Sequence, residues 1–159
     1  MSGDYRPCVG VMLVNLKGQV FVGRRAGIAD AAWQMPQGGI DKGEAPPAAA
    51  RRELREEVGV VHASILAEHP EWLSYDLPPR LARRTWRGRF KGQIQKWFLM
   101  RLEGPESEID LRAHRPPEFD AWRWAELDEL ESLIVPFKRD VYRLVVAEFR
   151  PQVRQMPDG

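Results

Sequence analysis

The sequence predicts an α/β fold, specifically an α/β/α sandwich with a mixed sheet between helices. The chain has 159 residues, which is enough for one domain with a proper core and too few for two comfortable ones. Short apolar runs typical of strands alternate along it with patterns typical of helices. The last apolar pattern has helical spacing, which indicates a helix docked on the sheet. We expect residues 1–150 to form a single domain and residues 151–159 a short, poorly ordered tail.

The N-terminal half is predicted to begin with two strands and to continue into a helix. Residues 8–15 and 19–23 are apolar, strand-like runs, and residues 16–18 between them suit a hairpin turn. The following helix carries its own boundaries, because Pro46 and Pro47 suit a first helical turn and Gly59 suits the left-handed position that ends a helix. The three alanines at residues 48–50 favour the helix between these limits.

The C-terminal half contains most of the predicted sheet. Strands are expected at residues 64–68, 71–75, 95–102 and 119–124, with a polar, basic stretch before the third of them. Near the end, residues 138–149 place four apolar side chains at helical spacing, which are Val141, Leu144, Val145 and Phe149. This pattern predicts an amphipathic helix packed on the body of the domain.

Composition limits the classes of function. The chain has 24 Lys and Arg against 23 Asp and Glu, a formal net charge of +1, so its overall field does not mark a nucleic-acid binder and DNA binding is not expected. The single cysteine, Cys8, cannot form an intrachain disulfide and is expected as a buried thiol. No apolar run reaches the roughly 20 residues that span a bilayer, and the first residues lack a signal-peptide core. We expect a soluble, cytoplasmic enzyme without a membrane partner.

Three carboxylates of the first helix are the main indication of chemistry. Glu53, Glu56 and Glu57 stand three and four residues apart, a spacing that places them on one helical face. Like charges at this spacing repel one another by about a few tenths of a kcal/mol per exposed pair. A divalent cation such as Mg²⁺, which prefers oxygen ligands and keeps several waters, relieves that repulsion. The alternative is an ordinary charged face in contact with water.

The surroundings of these carboxylates follow a longer pattern, G-x5-E-x7-R-E-U-x-E-E-x-G-U, where U is aliphatic. A chance match somewhere in the chain has a probability on the order of one in a million. Arg52, within this pattern, suits a charge-assisted pair that fixes one carboxylate, although composition alone equally allows a surface arginine. The matching residues are Gly38, Glu44, Arg52, Glu53, Leu54, Glu56, Glu57, Gly59 and Val60.

This segment resembles the signature of the Nudix hydrolases, which cleave nucleoside diphosphates linked to some other group. The resemblance implies a Nudix-type α/β/α sandwich and metal-assisted hydrolysis of a phosphoanhydride. It implies Mg²⁺ as the cofactor, with Mn²⁺ or Zn²⁺ as substitutes. Glu53 or Glu57 would take the proton of the attacking water, and Arg52 completes the catalytic set. The implied metal ligands are Glu53, Glu56, Glu57, Gly38 and, from a loop beyond the signature, Glu118.

Segments outside the signature extend the resemblance to nearly the whole chain. They resemble the branch of the family that contains the bacterial RNA 5′ pyrophosphohydrolases and the related dinucleoside polyphosphate hydrolases. The implied substrate is 5′-triphosphorylated RNA, which is converted to 5′-monophosphorylated RNA, and the alternative is a dinucleoside polyphosphate such as diadenosine tetraphosphate. The segments are WQMPQGG (33–39), EWLSYDLP (71–78), GQIQKWFL (92–99), PEFDAWRW (117–124) and FKRDVY (137–142).

Several side chains are expected to bind this substrate. By the same resemblance, Phe137 stacks on a base while Lys138 and Arg139 meet phosphate, and the alternative is a helix start with a core phenylalanine. Tyr75 suits base stacking, a hydrogen bond to phosphate, or simply a place in a strand. The remaining candidates are Arg24, Arg25, Gln37, Gln95 and Lys96. No role is assigned to His62, His69 or His114, which lack the spacing of a metal site.

Residues 80–91 carry six cations and no acidic residue. A solvated loop is the ordinary explanation, but in a phosphate enzyme such a strip can hold a polyphosphate or the RNA backbone in a salt-dependent way. Two departures from the branch slightly weaken the RNA interpretation and keep the dinucleotide alternative open, namely a longer loop at residues 26–32 and the lack of an extended basic tail. A non-catalytic nucleotide sensor is more distant, since such domains typically lose a signature carboxylate. The sequence neither predicts nor excludes an activating protein partner.

Overall fold

The computed structural model describes residues 4–27, 32–113 and 116–156. Within these residues the α-helices are α1 (Pro46–Val58), α2 (Pro79–Arg84), α3 (Leu130–Leu133) and α4 (Arg139–Arg154). The strands are β1 (Tyr5–Val14), β2 (Val20–Arg25), β3 (Trp33–Gln34), β4 (Gln37–Gly39), β5 (Ala63–Glu68), β6 (Leu73–Asp76), β7 (Gly92–Leu102) and β8 (Phe119–Ala125).

The eight strands of the described residues form one mixed sheet, whose central order is β3-β2-β1-β7-β5. β1 and β7 run parallel, with Tyr5 opposite Gly92 and Val14 opposite Arg101. The other pairings are antiparallel. β2 pairs with β1, β3 and β8, β7 pairs with β5 and β6, and β4 pairs with β1. β1 changes its antiparallel partner along its length, from β4 at residues 8–10 to β2 at residue 14. This change places the glycines of β4 beside α1.

Helices cover both faces of the sheet, so the predicted sandwich is confirmed. Along β1, Val11 and Leu13 pack in the core on the α1 side, whereas Met12 and Val14 pack in the core on the α4 side. This alternation is the two-residue period of a strand that is buried on both faces. Each fully buried large apolar side chain contributes about 1.5–3 kcal/mol to folding. The helices supply Ala49, Ala50, Leu54 and Val58 from α1, and Val141, Val145 and Phe149 from α4.

The predicted turn and helix limits are also confirmed. In the β1–β2 turn the Asn15 side-chain oxygen accepts the backbone N–H groups of Lys17 and Gln19, at 3.0 and 2.9 Å. α1 begins at Pro46 and ends before Gly59, whose φ of +79° is left-handed and whose N–H donates to the carbonyl of Arg55 at 3.0 Å. Local residues therefore set these boundaries.

Two predictions about α4 need correction. Leu144 was expected on the packed face, but it is 51% exposed, because that face is centred on the neighbouring positions Val141, Tyr142, Val145 and Val146. The tail was expected to begin at residue 151, but α4 continues through Pro151 to Arg154, and Val153 is buried in the core.

The remaining differences concern short elements. α2 lies in the basic stretch, and β3, β4 and α3 are two to four residues long. Cys8 is buried, as expected, and burial raises the pKa of its thiol to about 11. No helix of the described residues is long and apolar enough to cross a membrane. Residues 28–31 of the longer loop, His114 and residues 157–159 lie outside the described residues.

Candidate active site

A cavity of about 400 Å³ gathers most of the residues predicted from the signature. α1 contributes its carboxylates and β4 contributes the backbone above them. Glu118 reaches the same cavity because it precedes β8, which pairs with β2, and its carbonyl accepts the N–H of Ala26 at 2.9 Å. The lining residues are Arg6, Arg25, Gln37, Gly38, Gly39, Glu53, Glu56, Glu57, Thr85, Gln93, Pro116 and Glu118.

Arg52 lies behind the carboxylate wall and binds three glutamates at once. It makes a bidentate pair with Glu44, with N–O distances of 2.8 and 2.9 Å, and its third nitrogen is 2.9 Å from Glu53 and 3.2 Å from Glu56. It also donates to the carbonyl of Gly39 at 2.7 Å. The hydrogen bond from Arg52 lowers the pKa of Glu44 to about 2. Arg52 thereby ties α1 to the loop before it and to β4.

Glu53 and Glu57 form a buried carboxylate pair. Glu57 is 6% exposed, and its pKa is raised, first by burial and then by the charges of Glu53 and Glu118. Burial also raises the pKa of Glu53, against the lowering effect of Arg52. Among the described residues no group donates a hydrogen bond to the buried Oε1 of Glu57. The two carboxylates therefore repel each other, and one oxygen of Glu57 lacks a hydrogen-bond donor.

The donor set suits a divalent metal ion. An oxygen atom that is buried without a partner, next to two further carboxylates, is a site where a cation replaces missing hydrogen bonds and cancels repulsion. In the described part of the chain, no group of three or more Asp, Glu, His or Cys side chains is arranged so that it could hold a metal ion without some movement. Part of the set is held by Arg52 instead, which contacts Glu53 and Glu56.

Gly38 leaves the space that the Glu53 carboxylate occupies. A Cβ at residue 38 would lie 2.1 Å from the carboxyl carbon of Glu53. We expect Gly38→Ala to lower kcat/KM at least tenfold while changing the free energy of unfolding by less than about 1 kcal/mol, because the flexible end of Glu53 moves rather than the backbone. Steady-state kinetics and chemical denaturation measure the two effects.

Gly43→Ala is the matched control for this prediction. Gly43 is exposed, and a Cβ added at this position would meet no atom of the described residues within 4 Å. Its φ is +78°, so alanine there strains the backbone by about 1 kcal/mol and leaves the site unchanged. An active Gly38→Ala enzyme would show that the position of Glu53 does not matter to turnover.

Two arginines line the same cavity as the carboxylates. The Arg25 guanidinium lies 3.9 Å from Glu118, and both side chains are about half exposed. Arg6 packs against Gly39, since a Cβ at residue 39 would come within 2.4 Å of its Nη2 atom. The cavity therefore has one acidic wall and a cationic rim, which is the charge pattern that a metal-bound polyphosphate requires.

Buried glutamines form the floor beside β4. Gln95 donates to the side-chain oxygens of Gln37 and Gln93, at 2.7 and 2.8 Å, and accepts the indole N–H of Trp97 at 2.9 Å. Gln95 is 1% exposed, so it orients Gln37 and Gln93, which line the cavity, rather than lining the cavity itself.

Tyr75 and Lys138, which are buried, and Phe137, which is partly buried, form a neighbouring group. The rings of Tyr75 and Phe137 are 5.7 Å apart, and the Lys138 ammonium lies 5.4 Å from the centre of the Tyr75 ring. Lys138 is 8% exposed, and burial, followed by the charge of Arg25, lowers its pKa to about 8. Glu118 and Glu57 act on the same pKa in the opposite direction. This group therefore lies within electrostatic range of the site, although none of the three lines the cavity.

Three predicted substrate-binding residues lie elsewhere. Arg24 pairs with Asp120 at 3.0 Å, and Lys96 pairs with Glu68 at 3.4 Å. Arg139 is exposed at the start of α4. None of them lines the cavity.

Arg6, Gln93 and Thr85 line the cavity and were missed in the sequence. Alternation along a strand would have found Gln93, since it shares a face with Gln95. Arg6 and Thr85 stand out by no local pattern, because only the sheet and the C-terminal end of α2 bring them to the site.

Comparisons with known proteins agree with this architecture. The model of the NUDIX domain matches residues 4–145. A protein of Rhodospirillum rubrum named RNA pyrophosphohydrolase is 58% identical over 144 residues, covering 91% of this chain and 86% of the relative. A protein of Novosphingobium aromaticivorans with the same name is 58% identical and covers 92% of each chain.

Solved structures show the same fold at low sequence identity. The binary complex of the C. elegans Ap4A hydrolase superposes with a TM-score of 0.66 at 21% identity, over 92% of this chain and 98% of that one. The E. coli dihydroneopterin triphosphate pyrophosphohydrolase gives 0.67 at 20% identity, over 91% and 98%. With the family model matched over most of its length, the chain belongs to the NUDIX domain family.

Proposed function

We propose that this protein is a cytoplasmic, Mg²⁺-dependent RNA 5′ pyrophosphohydrolase, which converts 5′-triphosphorylated RNA to 5′-monophosphorylated RNA. The observation that carries the proposal is the single cavity lined by four carboxylates together with Arg6 and Arg25. The RNA substrate is supported by relatives at 50–58% identity that are named RNA pyrophosphohydrolase.

The carboxylates and the arginines that line the cavity have different proposed roles. Glu53, Glu56, Glu57 and Glu118 would hold the metal, which would supply positive charge to neutralise the polyphosphate and polarise a phosphoryl oxygen. The cationic rim of Arg6 and Arg25 orients the phosphates that extend beyond this acidic wall.

Hydrolysis requires a water aligned with the scissile phosphoanhydride and a group that takes its proton. The water oxygen bonds to phosphorus, the bridging oxygen leaves with the departing phosphate or pyrophosphate, and Glu53 or Glu57 accepts the proton. Neighbouring groups act on both carboxylates. The backbone of Gln37 lowers the pKa of Glu57, against the raising effect of burial, and Glu53 is held by Arg52.

A direct comparison of substrates tests the proposal. The protein is incubated with Mg²⁺ and either a 5′-triphosphorylated RNA or diadenosine tetraphosphate, and kcat/KM is measured for each. We expect at least a tenfold preference for the RNA and 5′-monophosphorylated RNA as product. A strong preference for the dinucleotide would assign the cavity to dinucleoside polyphosphates, and turnover of neither would indicate a nucleotide sensor.

Lys138 offers a prediction with opposite effects on stability and activity. Its pKa of about 8 lies below the unfolded value of about 10.4, so the folded protein pays to keep this lysine charged at pH 7. We expect Lys138→Met to raise the free energy of unfolding at pH 7 by on the order of 3 kcal/mol, and to lower kcat/KM about tenfold through KM because a positive charge near the phosphates is lost.

The pH dependence checks the cause of this gain. Between pH 8 and 10 the unfolded chain binds more protons than the folded one, so the stability of the wild-type protein rises with pH and the advantage of Lys138→Met shrinks. Denaturant titrations at pH 7 and pH 10 measure the difference. An equal gain at both pH values would attribute it to packing instead of charge.

A further inference from the structure

Residues 80–91, here called the basic segment, consist of α2, a short 3₁₀ turn at Trp86–Gly88 and the chain that leads to β7. Several surface arginines outside this segment are paired with acids, as in Arg101 with Glu103 and Arg150 with Asp128. Among the ion pairs of the described residues, none involves the exposed arginines of α2 and the turn, which are Arg80, Arg83, Arg84 and Arg87. Their charge is therefore available to a ligand.

The backbone of this segment is strained at Arg87 and closed by local hydrogen bonds. Arg87 has a φ of +58°, and among the described residues no other non-glycine has a positive φ. The turn is closed by hydrogen bonds from the Thr85 hydroxyl to the carbonyl of Leu81 and from the N–H of Gly88 to the carbonyl of Thr85, both at 2.8 Å. A residue in this conformation costs about 1 kcal/mol or more, so an arginine held there points to a function.

The basic segment is continuous with the active site. Thr85 lines the catalytic cavity, and a second cavity of about 340 Å³ on the segment is lined by three cations, Arg83, Arg89 and Lys91, and by one acid, Asp4. The Arg89 guanidinium lies 5.0 Å from the centre of the Phe90 ring. A chain of phosphates that leaves the catalytic cavity past Thr85 therefore meets a row of cations with an aromatic ring among them, as single-stranded nucleic acid requires.

We propose that the basic segment binds the backbone phosphates of single-stranded RNA downstream of the 5′ end held in the catalytic cavity. This inference rests on the proposed function. It names the feature that would make a long RNA bind more tightly than a short substrate. A dinucleoside polyphosphate concentrates its charges in the cavity and leaves no polyanionic chain for the segment. The segment therefore adds affinity in proportion to RNA length, and that part of the affinity depends on salt.

The test compares two triple variants that lose the same charge. The first is Arg83→Gln/Arg84→Gln/Arg87→Gln, and the control is Lys17→Gln/Arg143→Gln/Arg154→Gln, whose three residues are exposed and lie outside both cavities named above. Each protein is assayed on a 5′-triphosphorylated dinucleotide and a 5′-triphosphorylated 12-mer at 50 and 200 mM salt.

We expect the first triple variant to lose at least tenfold in kcat/KM on the 12-mer at 50 mM salt and less than twofold on the dinucleotide. The control variant changes less than twofold on both. The slope of log affinity against log salt decreases by about 2, since each phosphate contact with a single strand contributes about 0.7. An equal loss on both RNAs, or no loss on the 12-mer, would overturn the inference.

Two further measurements separate the possible failures. Turnover of RNA by the wild-type protein tests the proposed function alone. Fluorescence anisotropy with a labelled 5′-hydroxyl 12-mer tests the basic segment without catalysis, and unchanged affinity in the first triple variant would overturn its role whatever the enzyme cleaves. If Arg87→Gln prevents folding, Arg83→Gln/Arg84→Gln gives the same comparison with about a threefold or larger loss on the 12-mer, and a smaller loss would count against the inference.

Discussion

Replacing Glu57 with glutamine lowers kcat/KM at least 100-fold while the protein remains folded, which corresponds to about 2.7 kcal/mol of transition-state stabilisation. Glutamine keeps the shape of the side chain and removes the negative charge. Glu57 is buried beside Glu53, with one oxygen that finds no donor among the described residues, which supports our proposal that its charge serves a cation or a proton transfer rather than the fold. Glu53→Gln is expected to lose activity to a similar extent, since the same pair is broken.

The same substitution stabilises the protein in the absence of metal. The raised pKa of Glu57 means that the folded protein binds more protons than the unfolded chain at pH values above about 4.3, so stability falls as pH rises through this range. Glutamine at residue 57 removes that cost. Metal-free Glu57→Gln is therefore more stable than the wild-type protein at pH 8, and the difference decreases toward pH 5.

Addition of Mg²⁺ reverses this order. A ligand at 100 times its dissociation constant stabilises the folded state by about 2.7 kcal/mol, and the variant loses most of that gain with its ligand. Thermal unfolding with and without Mg²⁺ at pH 5 and pH 8 measures both effects. Glu148→Gln is the control, because Glu148 is exposed on α4 away from the cavity. Near-normal turnover in Glu57→Gln, or a full Mg²⁺ shift, would refute the metal assignment.

The parts of the fold that the sequence predicts well are those specified by neighbouring residues. Pro46, Gly59 and the turn at Asn15 act within a few positions, so the limits of α1 and the first hairpin could be placed in advance. β3 and β4 could not, since two or three residues become strands only when β2 and β1 supply their hydrogen-bond partners. The packed face of α4 was misplaced for a related reason. Tyr142 is buried because its hydroxyl accepts the N–H of Met35, 107 residues away.

In the candidate site, too, features set by neighbouring residues could be predicted and features set by distant contacts could not. Spacing on one helix brought Glu53, Glu56 and Glu57 together, whereas Glu118 was expected only from the family resemblance, and the pairing of β8 with β2 brings it to the same cavity. Charge and polarity did not predict exposure, however. Gln95 and Lys138 were expected to meet substrate directly, yet both are buried, and they act on the cavity through hydrogen bonds or through their field. Burial of a polar side chain depends on distant partners, which a single sequence does not reveal.

Arg52→Lys is expected to lower kcat/KM at least 30-fold. One guanidinium contacts Glu44, Glu53 and Glu56 and the carbonyl of Gly39 at 3.2 Å or less. An ammonium group keeps the charge but has three donors from one atom, so it cannot hold Glu44 and Glu53 together. Glu53 is then free to leave the position that Gly38 provides for it, and the metal-binding wall loses its geometry.

Arg52→Gln separates the loss of positioning from the loss of charge. With the cation removed, three carboxylates repel one another without compensation, and we expect about 2–4 kcal/mol of lost stability in metal-free protein at pH 7. The pKa of Glu44, about 2 in the wild-type protein, returns toward its ordinary value in the variant. The wild-type protein loses stability between about pH 4.5 and pH 2 as Glu44 is protonated, and the variant loses much less stability over this range.

Chemical denaturation at pH 7 and pH 3, together with kinetics at saturating Mg²⁺, distinguishes these effects. Because Mg²⁺ supplies the missing positive charge, it restores much of the stability of Arg52→Gln, but it cannot restore the fixed orientation of Glu53, so activity stays low. Arg55→Gln on the exposed side of α1 is the control, with activity within twofold of the wild-type value. If saturating Mg²⁺ returned Arg52→Gln to full activity, Arg52 would act only as a charge, and the hydrogen bonds that hold Glu53 would have no part in catalysis.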